Sequence, residues 1–205
     1  MQISDRLIDD LVLTAFKTSI ENEEIGDSNS KKSSYFVSQL AELFSDQFDK
    51  NALVQTTDRN GKKSSGEWLL DIVIVSKDEI RTSYKNRKSD IVKKIHWAIE
   101  SEFSTSLNEF SKDFSKLLHI RSEAYLYVAG INQISEVTRN EYINAQTELA
   151  VDLVSEQGID KPFYLAFVPT PGKTYEHSSL WNSGYEQLSN WVKVVNLSSF
   201  VTKCT

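Results

Sequence analysis

Glu100 and Glu102, in the stretch HWAIESEF, are the residues whose type and spacing first suggest chemistry in this 205-residue chain. Successive side chains on a strand alternate faces, so His96, Ala98, Glu100 and Glu102 share one side while Trp97, Ile99 and Phe103 turn toward a core. Two carboxylates so placed stand roughly 7 Å apart and repel by about 2 kcal/mol at an effective dielectric near 20. An exposed edge strand tolerates that repulsion. An interior strand calls for something positive between the glutamates and another acid. Asp71 is such an acid, set in the apolar run EWLLDIVIV (67–75) on the same strand face as Glu67, Leu69 and Val73. If the two strands pair as a hairpin through residues 76–94, Asp71 and Glu100 converge, and Glu102 lies one pleat further along. Two carboxylates from neighbouring strands, with the backbone carbonyl between the glutamates, are hard oxygen ligands of the kind Mg²⁺ takes in sites completed by a substrate phosphate. Such an ion would offset the repulsion, polarise a phosphodiester and lower the pKa of an attacking water. The plain alternative is an aspartate that accepts backbone hydrogen bonds at a strand bend.

The elements that must position these acids follow from apolar periodicity. Ser4 opens a helix with Leu7, Ile8, Leu11, Val12, Ala15 and Phe16 on one face, and Ser34 caps a second whose stripe runs from Phe36 to Phe48, with Glu42 on the opposite, solvated side. NALVQTT predicts a short strand, and EWLLDIVIV, apolar on both faces, an interior one. A lysine-rich connection leads to the glutamate strand. Ser106 and Glu109 form a capping-box pattern ahead of Leu107, Phe110, Phe114, Leu117 and Leu118. AYLYVAG is a strand ended by Gly130; Ser135 opens a long helix stopped by Gly158; PFYLAFVP is a strand; and WVKVVNLSSF is an edge strand or irregular tail. The order α, α, β, β, β, α, β, α, β favours an α/β fold with a mixed sheet and helices on both faces, in one domain over 1–205.

Composition bounds the function. A net charge of −6 argues against a protein that coats polyanions, but ten basic and five acidic residues between Arg59 and Lys94 make that window +5. It permits a phosphate-facing surface carried by Lys62, Lys63, Arg81, Lys85, Arg87 and Lys88, with Tyr84 to stack or pack. The alternative is a solvated hairpin arm or short helix. The single cysteine, Cys204, allows no internal disulfide and fits a reducing cytosol. No apolar run is long enough to span a membrane, and the acidic N-terminal stretch is unlike a secretory signal, so a cytoplasmic protein without a membrane partner is expected. His119 and His177 lack the spacing of a zinc site, and there is no glycine-rich phosphate loop or Cys/His dyad.

GEWLLDIVIV, then WAIESEF, then NEFSKDFSKLL resembles the PD-(D/E)XK nuclease superfamily over roughly residues 33–130. That resemblance implies a restriction-endonuclease-like core over about 33–170, with an N-terminal helix and a C-terminal extension. It implies Asp71 as the motif aspartate, Glu100 as the second metal-binding acid, and Glu102 at the position usually held by lysine, as in Glu-x-Glu variants where the last glutamate orients or deprotonates the water. Leu70 replaces the motif proline and the strand connection is long. Lys116 on the following helix is either a migrated lysine or the partner of Asp113 in a surface ion pair. The implied activity is Mg²⁺-dependent (or Mn²⁺-dependent) hydrolysis of DNA, in a restriction or defence setting. Enzymes of this kind that cut both strands often dimerise, so a homodimer is one expected assembly. The rival expectation is a non-catalytic binding or accessory module that keeps the fold.

Overall fold

The computed structural model describes residues 4–22, 29–54, 70–81, 88–171 and 185–201. Two helices come first, α1 (Asp5–Glu21) and α2 (Asn29–Phe48), followed by strands β1 (Asn51–Val54), β2 (Ile72–Arg81) and β3 (Lys88–Glu102). Then α3 (Leu107–Leu118), β4 (Tyr125–Ile131), α4 (Glu136–Glu156) and β5 (Phe163–Pro169) alternate, before α5 (Tyr185–Ser189), β6 (Lys193–Asn196) and α6 (Ser198–Val201). The six strands form one mixed sheet in sequence order. β1, β2 and β3 are antiparallel, β3, β4 and β5 are parallel, and β6 returns antiparallel on the edge.

Helices cover both faces. On one, Ile8, Val12 and Phe16 of α1 and Phe36, Leu40 and Phe44 of α2 join Trp97, Ile99 and Leu126 of the sheet. On the other, Phe110, Phe114 and Leu117 of α3 and Ile143, Ala150 and Val154 of α4 pack on Val73, Ala98 and Tyr127. Strands buried on both faces need apolar residues at every position, which is why β4 and β5 are continuous hydrophobic runs. Trp97 anchors α2 to the sheet, its ring 5.0 Å from Phe44 and 5.6 Å from Phe48.

Several expectations shift. Helix α2 starts at Asn29, a turn before Ser34. The Ser106–Glu109 capping box does not form: Ser106 is the N-cap, but its side chain makes no capping bond, and its N–H donates to Ser104 Oγ at 3.2 Å. β2 starts at Ile72, so Asp71 stands just ahead of it, while Glu67 and Leu69 lie outside the described residues. The connection 76–94, by contrast, is the hairpin arm of its two solvated readings, with a ladder from Ser76 paired with Lys94 to Arg81 paired with Lys88. This ribbon continues past β1 and β4, with neither face fully covered, so apolar alternation does not mark it. Its charges pair instead: Lys88 Nζ lies 3.0 Å from Glu79 and Lys93 Nζ 2.9 Å from Asp78. Bulges interrupt it. Trp97 pairs with Ile74 but Ile95 with Val75, which takes His96 out of the alternation expected for it and brings its Nε2 within 2.7 Å of Ser76 Oγ.

Gly130 lies inside β4 and does not end it. A Cβ there would meet the Phe103 carbonyl oxygen at 2.6 Å and its Cα at 2.8 Å. Glycine therefore lets the end of β3 lie close over β4, just beyond Glu102. Gly130→Ala should lower stability by about 2 kcal/mol, because backbone cannot rotate away as a side chain would. A urea titration checks this; an unchanged midpoint would mean that the end of β3 moves freely.

Candidate active site at the junction of β2, β3 and α3

Ile72 pairs with Ile99, so Asp71 and Glu100 meet one step beyond the regular β2–β3 ladder. Asp71 N–H donates to Glu100 Oε2 at 3.0 Å. In return, Asp71 Oδ2 accepts from Ser101 N–H at 2.9 Å and from Ser101 Oγ–H at 2.6 Å. The two carboxylates act as carbonyls would, extending the strand pairing through side chains. Glu100 is 2 % exposed, so it cannot rely on water for its charge. Lys116, in the last turn of α3, supplies the compensation: its Nζ contacts Glu100 Oε1 and lies 2.7 Å from Asp113 Oδ1. This ammonium is the positive group the buried acids require. It is 28 % exposed and marks where solvent reaches them.

Burial, then the nearby Asp71 charge, pushes the Glu100 pKa up to about 7, against the opposing pull of Lys116 and the Asp71 N–H. Burial also raises Asp71, with the two bonds from Ser101 working the other way. Burial alone would lower Lys116, but its bonds to Asp113 and Glu100 prevail and hold it firmly protonated. Tyr127 is the β4 partner of Glu100, and burial followed by the charges of Asp113, Glu102 and Glu100 keeps its phenol protonated.

Glu102 is placed differently. As the last residue of β3, it turns its carboxylate to the Ser104 N–H, 2.5 Å away, and joins Glu109 and Asp113, one oxygen from each lying within 4.8 Å of the others. Burial raises its pKa, and Asp113 and Glu109 add to the shift. The structure thus brings Asp71 and Glu100 together and sets Glu102 in an adjoining acid group, with Asp113 and Lys116 at the boundary. Ser101 has no part in the sequence expectations, and Asp113 enters them only as the partner of Lys116 in a surface ion pair. Asp113 left a signal: it shares the i, i+3, i+4, i+7 stripe with Phe110, Phe114 and Leu117, so it faces the sheet and is only 8 % exposed. Lys116 and Asp113 do form their ion pair, but it is largely covered and shared with Glu100.

Among the proposed phosphate contacts, Lys62, Lys63, Lys85 and Arg87 lie outside the described residues, as does Tyr84. Arg81 and Lys88 are exposed on the ribbon, at 3.3 and 3.0 Å from Glu79. Such exposed pairs are worth at most about 1 kcal/mol, so a phosphate could displace Glu79. A groove of about 410 Å³ between α2 and β1, lined by Ser38, Glu42, Asp46 and Lys50 among others, lies on the helix α2 side of the sheet and not with these acids.

Asp71 and Glu100 offer hard carboxylate oxygens, and so do the neighbouring Glu102, Glu109 and Asp113. Among the described residues Asp71 Oδ1 carries no hydrogen bond, and Glu100 Oε2 has one donor and a second lone pair. No helix among the described residues is long and apolar enough to cross a membrane. No protein-family model, curated protein or solved structure matches this chain.

Proposed function

We propose that this chain is a Mg²⁺-dependent (or Mn²⁺-dependent) endonuclease of restriction-endonuclease-like fold that hydrolyses DNA phosphodiester bonds. The observation that carries the proposal is the clasp of Asp71, at the entrance to β2, on the Glu100–Ser101 pair of β3, with Lys116 of the next helix bound to Glu100. The order of elements supports it: α2, three antiparallel strands, α3, and then β4 parallel to β3.

Asp71 and Glu100 would hold the ion, which when bound would supply Lewis-acid polarisation of the phosphodiester and a water of lowered pKa. Ser101 orients Asp71 through its N–H and hydroxyl. Glu102 takes the proton from the attacking water, a task suited to a carboxylate whose pKa is raised. Lys116 provides the ammonium absent from the Glu102 position. Arg81 and Lys88 contact phosphates as the ribbon approaches the DNA backbone. The full-length protein with supercoiled or single-stranded DNA should produce nicks or cuts in Mg²⁺ or Mn²⁺ and none in EDTA.

A second reading, a binding or accessory module without catalysis, is favoured by one fact. Ser101 donates twice to Asp71, and Lys116 satisfies Glu100 and Asp113, so the acids have partners without any metal. Thermal melts separate the two. A metal site stabilises by mass action, by about 2.7 kcal/mol at a hundredfold excess over Kd, and that gain should vanish in Asp71→Asn. No Asp71-dependent gain together with no cleavage would establish the module.

A further inference from the structure

Lys116 has a relation to the cation site that its ion pairs alone do not express. Both oxygens of Glu100 are engaged, Oε2 by the Asp71 N–H and Oε1 by the Lys116 ammonium. The glutamate side chain is 3 % exposed, so it cannot turn to solvent to find a free face. We propose that Lys116 is a built-in competitor for the divalent cation: its ammonium sits between Glu100 and Asp113, and an ion that takes the remaining lone pair of Glu100 Oε2 must drive it from that carboxylate toward Asp113. The inference rests on the reading that Asp71 and Glu100 are the metal ligands.

Three features carry it. A lysine ammonium is a compact point charge with three donors, two of them committed here to acids on different elements. A cation coordinating Glu100 would stand close to that ammonium where water is scarce, and the two would repel strongly. Asp113, three residues earlier on α3 and 2.7 Å from Nζ, gives the displaced ammonium a second partner, so exchange breaks one contact and keeps the other. Lys116 thereby lets the acids fold together without metal, and the free protein binds metal weakly. A DNA phosphate brings the negative charge that would favour both cations at once.

The test uses the full chain without DNA, titrated with Mn²⁺ by calorimetry and followed by metal-dependent thermal stabilisation. Lys116→Met should bind Mn²⁺ roughly tenfold more tightly than the wild type, equivalent to about 1.4 kcal/mol, and show a larger stabilisation by metal. Lys112→Met controls for net charge. Lys112 is on the same helix, 70 % exposed and, among the described residues, paired only with Glu109, and its loss should change the affinity less than about twofold. If Lys116→Met misfolds, Lys116→Gln keeps a donor for Glu100 without the charge and should tighten binding in the same direction. Equal or weaker affinity in the Lys116 variants, or equal tightening in Lys112→Met, overturns the competition while leaving the metal site standing. An absence of Mn²⁺ binding in every variant overturns both the competition and the site on which it rests.

Discussion

Asp71→Asn should slow DNA cleavage by roughly 10²- to 10³-fold while leaving the circular dichroism spectrum unchanged. Asparagine keeps one amide oxygen, enough to accept the Ser101 N–H that Asp71 Oδ2 now accepts at 2.9 Å, so the end of the β2–β3 ladder survives. What it loses is the negative charge and the second oxygen, the ligand the ion needs. Glu100→Gln should reduce cleavage by a similar factor with a larger structural cost. Glu100 accepts from both the Asp71 N–H and Lys116, and a glutamine has a single acceptor oxygen to offer them. The pair of variants is therefore informative as a pair. If both abolish cleavage and only Glu100→Gln lowers the melting temperature appreciably, the acids act on substrate and not merely on folding. Retention of wild-type cleavage by Asp71→Asn would remove Asp71 from the catalytic site.

The sequence made some of this arrangement visible and hid the rest for identifiable reasons. The burial of Glu100 was legible from Trp97, Ile99 and Phe103, whose apolar side chains mark β3 as an interior strand. The pairing of Asp71 with Glu100 was legible from the two strands that carry them. The ribbon at 76–81 and 88–94 was legible only as one of two readings, a solvated hairpin arm or a short helix, because a two-stranded arm with both faces wet shows no period-2 alternation; cross-strand pairs such as Glu79 with Lys88 mark it, and those depend on register. Nor did β2 begin where its apolar run began, since apolarity reports burial and not ladder pairing. The contact of Lys116 with Glu100 joins residues 16 positions apart on a helix and a strand, a relation set by how α3 lies on the sheet. Only its i, i+3 spacing from Asp113 is written in the chain. Glu102 was misplaced for a related reason. Strict alternation set it beside Glu100, but it is the last residue of the strand, where the turn into α3 offers the Ser104 N–H and the α3 carboxylates redefine its company.

The protein should be more stable near pH 5 than near pH 8, an inversion of the usual behaviour of a salt-bridged carboxylate. Glu100 titrates at about 7 in the folded chain against an ordinary 4.5 when unfolded, chiefly because burial disfavours its charge and Asp71 adds to that. Between those two values the folded chain keeps a proton that the unfolded chain has lost, so stability falls as the pH rises through the window. The contribution is fully present below the unfolded value and gone above the folded one. An interval of about 2.5 pH units corresponds to about 3 kcal/mol from this group, and the raised Asp71 acts in the same direction. Urea denaturation at a series of pH values measures it. Glu100→Gln, which carries no titrating proton, should flatten most of the slope. Mg²⁺ added near pH 8 should restore part of the lost stability, since it binds the ionised carboxylates that form the high-pH state, and should do little near pH 5, where a proton already occupies Glu100. A wild-type profile that instead rises from pH 5 to pH 8 would mean that Lys116 outweighs burial at Glu100, and that the carboxylate is ionised throughout.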